Sequence, residues 1–137
     1  MKELSRMSSK GARILVVDDE PMLADTLAVI FQRAGYAASA VYNGEEALAF
    51  FAAHPPLLVV TDVVMPGIDG ITLAKIIRQS YPACRVLLFS GNADTQALLE
   101  AAQEEGHAFE VLAKPVPPSQ ILVRVASLLE QRSSSPL

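Results

Sequence analysis

The sequence contains one cysteine, few basic residues and no long apolar run, and each shortage excludes a class of protein. Cys84 is the sole cysteine among 137 residues, so no disulfide can form within the chain and a reducing, cytoplasmic environment is expected. The net charge is -4, with 11 Lys and Arg against 15 Asp and Glu. We therefore expect no nucleic-acid partner, because phosphate backbones bind clustered positive charge. No run reaches the ~18 apolar residues of a membrane-spanning helix, so no membrane partner is expected.

The N-terminal segment is polar and lacks the apolar stretch that a secretory signal requires. We expect residues 1–12 to form a disordered leader and residues 132–137, rich in Ser, to form a disordered tail. Just over half of the chain is apolar, 51%, which suffices for a sizeable core without disulfides. The sequence therefore predicts one domain over residues 13–131, with no output domain.

From Arg13 onward, short apolar runs alternate with segments whose apolar residues recur at helical spacing. This alternation indicates strand–helix units around a parallel sheet. Three of the strands are nearly continuous Leu, Ile and Val, as expected when helices cover both sheet faces. The pattern predicts an α/β fold, a doubly wound sheet of five strands with five helices. The predicted strands are Arg13 to Val17, Tyr36 to Val41, Leu57 to Thr61, Arg85 to Phe89 and Phe109 to Ala113.

Residues with known capping preferences mark the predicted helix ends. Pro suits a first helical position, Asn and Asp suit the N-cap, and Gly suits the left-handed residue after a helix. The last helix is predicted from Pro118 to about Glu130. The capping residues are Pro21, Asn43 in a capping box with Glu46, Asp69, Gly35 and Gly106.

Polar residues follow four of the predicted strands at their carboxyl ends. They are Asp18, Asp19, Asp62, Ser90 and Lys114. In open parallel sheets the ligand crevice lies outside these ends, so residues far apart in sequence can meet there. Three carboxylates in one crevice repel each other, and a bound cation is one remedy. Mg²⁺ prefers such oxygen ligands. With a lysine it would neutralise a transferring phosphoryl group, Asp62 could act as nucleophile, and Ser90 could donate a hydrogen bond.

The motifs that carry these residues resemble the receiver domain of two-component response regulators, of the single-domain kind that serves chemotaxis. Residues 14–20 read ILVVDDE, residues 61–70 read TDVVMPGIDG, residues 89–91 read FSG and residues 114–115 read KP. Their joint occurrence in order is specific, although each motif alone is weak. The resemblance covers about residues 13–131 and implies a flavodoxin-like fold with strand order 2-1-3-4-5.

The resemblance also implies a role for each residue. Asp62 would be the phosphoacceptor, Asp18 and Asp19 the Mg²⁺ pair, and the Val64 backbone carbonyl a further metal ligand. Ser90 would close on the phosphoryl group, and Lys114, before a cis Pro115, would pair with it. The donor would be a histidine kinase or a histidine phosphotransfer protein, and the signal would pass to a downstream protein through altered contacts. The chain would catalyse only its own phosphorylation and dephosphorylation.

The sequence departs from the family pattern in three places. Val111 occupies the position of a Tyr or Phe that changes rotamer on activation, and Phe109 lies on the same side of the strand but about 7 Å further from the crevice. Val64, two residues after Asp62, offers no side-chain hydrogen bond to an attacking water, which predicts slow self-dephosphorylation. Ser90 stands where Thr is commoner in the family.

Blander interpretations remain for each motif. Asp18 and Asp19 could be a solvated loop with a helix cap, Asp62 a turn residue, and Ser90 a turn with a following cap. His54 and His107 are expected in exposed loops. For the whole chain, the alternatives are a docking module that works without phosphorylation, which Val111 supports, and an aspartyl phosphatase, whose second acid Val64 replaces. A nucleotide-binding domain lacks support, since no G-x-G-x-x-G follows the first strand.

Overall fold

The computed structural model describes residues 11–91 and 94–133, in which strands and helices alternate along the chain. Residues 1–10 of the predicted leader and 134–137 of the predicted tail lie outside the described residues. The strands are β1 Arg13–Val17, β2 Ala37–Val41, β3 Leu58–Asp62, β4 Arg85–Ser90 and β5 Glu110–Ala113. The helices are α1 Pro21–Arg33, α2 Gly44–Ala53, α3 Gly70–Ser80, α4 Asp94–Glu104 and α5 Pro118–Ser133.

All five strands form one parallel sheet in the order β2-β1-β3-β4-β5. The predicted α/β fold is therefore confirmed, with strand limits within one residue of those expected. The last helix continues to Ser133, three residues past its predicted end. At the other end, the Gly11 N–H donates to the Gly35 carbonyl and Ala12 is buried, so these two residues pack with the domain.

Alternating residues along the central strands divide the core into two apolar layers. Val16 and Val60 face α1 and α5, whereas Leu15 and Val59 face α2, α3 and α4. Both sheet faces are thus covered, which explains why the central strands read as continuous apolar runs. Each fully buried Leu or Phe side chain contributes roughly 1.5–3 kcal/mol. In the described part of the chain, no helix is both long and apolar enough to cross a bilayer.

The helix ends confirm most of the predicted capping. The Asn43 side chain accepts from the Glu46 N–H at 2.7 Å, and Asp69 accepts from the Thr72 N–H at 2.8 Å. The Glu46 carboxylate, however, accepts from the Tyr42 N–H at 2.8 Å, so the second arm of the capping box reaches one residue further than predicted. Gly35 and Gly106 have φ angles of 103° and 94°, the left-handed conformation expected after a helix.

Gly70 allows α3 to begin directly against the end of β3. A Cβ atom at Gly70 would lie 1.9 Å from the Asp62 carbonyl oxygen, which no side chain can tolerate. The Gly70 N–H also donates to the Val63 carbonyl at 2.8 Å. The absence of a side chain at Gly70 therefore allows the start of α3 to pack directly against Asp62.

We predict that Gly70→Ala lowers the free energy of unfolding by about 1–3 kcal/mol, because the added methyl group overpacks a backbone contact. Gly91→Ala is the matched control, since among the described residues a Cβ atom there would meet only Lys114 Cδ, at an ordinary 3.7 Å. Urea denaturation of both variants measures the difference. Equal stability of the two variants would show that the close approach at Gly70 is not required.

Candidate functional site

The register of the sheet brings the three predicted acids together at its carboxyl edge. Val17 of β1 pairs with Thr61 of β3, so Asp18 and Asp62 occupy adjacent positions at the ends of neighbouring strands. Carboxylate oxygens of Asp18, Asp19 and Asp62 all lie within 4.8 Å of one another. The grouping expected from the parallel-sheet topology is therefore present.

Lys114 reaches the same cluster from the end of β5. Its backbone N–H donates to the Ser90 carbonyl at 2.8 Å, and the peptide bond to Pro115 is cis. The Lys114 ammonium nitrogen lies 3.2 Å from Asp62 Oδ2 and 3.8 Å from Asp18 Oδ2. One cation thus contacts two of the three acids.

Asp18 is the most buried acid of the cluster, with 3% of its surface exposed. Burial raises the pKa of this carboxyl, and the charges of Asp62 and Asp19 act in the same direction. The Glu20 N–H, which donates to Asp18 Oδ1 at 2.9 Å, and the Lys114 charge oppose that rise. The three carboxylates form a set of hard oxygen ligands that could hold a divalent metal ion.

Val64 follows Asp62 in a segment that backbone hydrogen bonds hold at both ends. The Val63 N–H donates to the Phe89 carbonyl at 3.0 Å, and the Val63 carbonyl accepts from Gly70. The neighbours Val63 and Met65 are buried, whereas 53% of Val64 is exposed. An apolar side chain therefore stands in solvent two residues after Asp62, and the ligand role of its carbonyl stays a prediction.

Ser90, which is predicted to close on a phosphoryl group, contacts α4 through its side chain. Its hydroxyl is hydrogen-bonded to the hydroxyl of Thr95 in the first turn of α4. Within the described residues, no hydrogen bond joins the Ser90 side chain to Asp62 or Lys114. Sequence reasoning did not select Thr95. The signal was its spacing, because Thr95, Leu99 and Ala102 share the buried face of α4.

Val111 on β5 and Phe109, just before that strand, lie on the same side of the sheet. Val111 and Phe109 both pack, half-buried, against the core layer beneath α3 and α4. The Arg78 guanidinium lies 4.1 Å from the centroid of the Phe109 ring, and the His107 ring stacks on the same ring at 6.1 Å. His107 lies in a loop as predicted but is half-buried, whereas His54 is exposed as expected.

A family comparison identifies the domain. Residues 14–126 match the model of the response regulator receiver domain. The chain belongs to this family. It is 29% identical over 130 residues to the DNA-binding response regulator MtrA of Mycolicibacterium smegmatis, and the alignment covers 95% of the chain and 56% of MtrA. It is 31% identical over 119 residues to the transcriptional regulatory protein BaeR of Escherichia coli, covering 87% of the chain and 48% of BaeR.

A solved structure gives the same result. The receiver domain protein from Clostridium thermocellum superimposes with a TM-score of 0.79 at 26% identity, covering 89% of this chain and 97% of that one. The chain thus spans about half the length of the curated relatives named above and nearly the whole of this solved receiver. The similarity to MtrA and BaeR lies within a receiver-sized segment.

We predict that Asp18→Asn raises the stability of the metal-free protein at neutral pH by about 1 kcal/mol, because the change removes a buried charge repelled by two neighbours. A carboxyl whose pKa is raised by folding opposes folding above that pKa, and the penalty vanishes at low pH, where both states are protonated. The gain should therefore disappear as the pH falls. Urea unfolding in EDTA measures it.

Asp19→Asn provides the control for this measurement, because Asp19 is exposed and solvent screens its charge. A gain for Asp19→Asn as large as that for Asp18→Asn would show that burial of Asp18 is not the source of the penalty.

Proposed function

We propose that Asp62 accepts a phosphoryl group from a phosphohistidine, carried by a histidine kinase or a histidine phosphotransfer protein, in the cytoplasm. The observation that carries this proposal is the 3.2 Å approach of the Lys114 ammonium to Asp62 within the acid cluster. Membership of the receiver family supports it. The phosphorylated domain would then act through altered contacts with a downstream protein.

Asp62 would act as the nucleophile. One carboxylate oxygen of Asp62 forms a bond to phosphorus while the nitrogen–phosphorus bond of the donor breaks, and the imidazole leaves with the bonding electron pair. Asp62 is the last residue of β3, with its side chain at the open edge of the sheet and 13% exposed. A donor side chain can therefore approach it from solvent.

Lys114 would stabilise the charge of the transferring group. Its ammonium already contacts the nucleophilic carboxylate, so little reorganisation is needed when negative charge develops on the phosphoryl oxygens. Asp18, Asp19, Asp62 and the Val64 carbonyl would hold the metal. Bound Mg²⁺ would supply further positive charge for the phosphoryl oxygens. Ser90 would donate a hydrogen bond to one of those oxygens after leaving Thr95.

The output would pass through the surface formed by α4, β5 and α5. Ser90 belongs to β4, pairs with Ala113 of β5 and contacts α4 through Thr95, so a movement of Ser90 reaches both elements. The docking module that works without phosphorylation remains the alternative, with Val111 as its support. The acid–lysine geometry favours the phosphoacceptor, because a docking surface alone has no use for a repelling cluster of carboxylates.

We predict that incubation with acetyl phosphate and Mg²⁺ adds one phosphoryl mass to the protein, and that Asp62→Ala abolishes the increment. Intact-protein mass spectrometry measures it. Asp25→Ala is the control, because Asp25 is an exposed acid on α1, and this variant should still be phosphorylated. Omitting Mg²⁺ should reduce the increment strongly.

Two outcomes would separate the proposals. Unmodified wild-type protein that still binds Mg²⁺ would support the docking module and overturn the phosphoacceptor role. An increment that survives in Asp62→Ala would place the modification elsewhere.

We predict that Val64→Asn accelerates decay of the acyl phosphate about fivefold, since a well-placed hydrogen bond to the attacking water is worth about 1 kcal/mol. The exposed position of Val64 allows the exchange without disturbing the core. Decay after removal of the phosphodonor measures the rate, with Val64→Ala as the control for lost bulk. Equal rates in wild type, Val64→Ala and Val64→Asn would remove this explanation of slow dephosphorylation.

A further inference from the structure

Thr95 is one of the few buried polar residues in the described part of the chain. Only 1% of its surface is exposed, and it occupies a core-facing position in the first turn of α4. Its hydroxyl is bonded to that of Ser90 at the end of β4. A buried hydroxyl at a position that apolar spacing would fill indicates a polar role, since burying it without a partner is costly.

The Ser90–Thr95 bond lies on the opposite side of the sheet from the acid cluster. Along β4, Leu88 faces α3 and α4 while Phe89 faces α1 and α5. By the same alternation, Ser90 follows Leu88, toward α4. Asp18 and Lys114 line a cavity with Phe89 and Leu27 on the α1 side. The Ser90 oxygen therefore has to turn away from α4 to reach a phosphoryl group on Asp62.

Turning the Ser90 oxygen breaks its bond with Thr95, whichever hydroxyl donates the proton. A serine hydroxyl swings about one bond, so its oxygen cannot occupy both positions. The two hydrogen bonds of Ser90, with Thr95 and with a phosphoryl oxygen, are therefore alternatives. The bond to the charged acceptor is the stronger of the two.

We propose that Thr95 is a positioning residue that holds the Ser90 hydroxyl away from Asp62 in the unphosphorylated protein. Occupation of the Asp62 site by a phosphoryl group then breaks this bond and loosens the tie between β4 and the first turn of α4. This inference rests on the proposed phosphoacceptor function. The Ser90–Thr95 hydrogen bond would then connect the phosphorylation site to α4. This chain has Val111 in place of the aromatic residue that changes rotamer in the family.

Space beside α4 allows the helix to respond. A cavity of about 240 Å³ lies between α4 and β5, lined by Gln96, Leu99, Gln103, His107, Ala108, Phe109 and Val111. Close-packed interiors resist small displacements, and a cavity removes that resistance on one side. Open space is therefore present on the side of α4 that faces β5.

The test compares affinities for beryllium trifluoride, a phosphoryl analogue, in the presence of Mg²⁺ by isothermal titration calorimetry. Thr95→Val keeps the shape and removes the hydroxyl, so the analogue no longer has to break a hydrogen bond. We expect binding about two- to tenfold tighter than wild type, the worth of one net hydrogen bond. Thr95→Ser restores the hydroxyl and should restore wild-type affinity.

The Ser90→Ala background isolates the pair. Thr95→Val should have no effect on affinity there, because the bond it removes is already lost. Unchanged or weaker binding by Thr95→Val, or an equal gain in the Ser90→Ala background, would overturn the inference while leaving the phosphoacceptor function intact. Failure of the wild-type protein to bind the analogue or accept phosphate would overturn both.

A measurement on unsubstituted Thr95 covers the case in which Thr95→Val does not fold. When the analogue binds to the wild-type protein, amide hydrogen exchange should become faster in the second turn of α4, whose N–H groups donate to the carbonyls of the first turn. Ser90→Ala should already exchange fast without it. Slower or unchanged exchange in the wild-type protein would contradict release of the turn.

Discussion

Mutual repulsion of three carboxylates at the carboxyl edge of the sheet is the constraint on which the site depends. Asp18, Asp19 and Asp62 approach within 4.8 Å, and Lys114 supplies one compensating charge. Asp18 is buried, so water screens its charge poorly. Folding therefore brings together groups that would be more stable apart, and the excess negative charge that Lys114 leaves suits a divalent cation. Binding of a cation relieves this repulsion, so the repulsion increases the affinity of the cluster for cations.

The two apolar layers of the core provide the stability that this cluster reduces. Strand residues alternate between the layers, so every strand is fixed on both faces and its end cannot drift. The close contact of Gly70 with the Asp62 carbonyl adds a second restraint at Asp62 itself. Apolar packing thus holds the strand ends that carry the charged groups.

The architecture could be predicted from the sequence because parallel-sheet periodicity and capping signals are local. The gathering of Asp18, Asp62 and Lys114 followed from topology, since each ends a strand of one sheet. The hydrogen-bond partner of Ser90 could not be predicted in this way. Strand alternation determines which face of the sheet the Ser90 side chain occupies, but the side-chain rotamer determines which group its hydroxyl contacts. The same applies to Glu46, whose carboxylate reached Tyr42, and to His107, whose ring found Phe109 through tertiary packing.

Serine at position 90 and valine at position 111 have a common consequence. A threonine would be stiff about its first side-chain bond, because branching at Cβ restricts its rotamers, whereas Ser90 can turn more freely. A hydroxyl that turns freely adopts several orientations whether or not Asp62 is phosphorylated. Its orientation can report the state of Asp62 only if another residue fixes it in the unphosphorylated protein. Thr95 provides that hold from α4. Val111 has no ring to move. The Ser90 hydroxyl, in contrast, has two mutually exclusive hydrogen bonds, one with Thr95 and one with a phosphoryl oxygen. A phosphorylation signal requires an element of this kind, with two alternative arrangements.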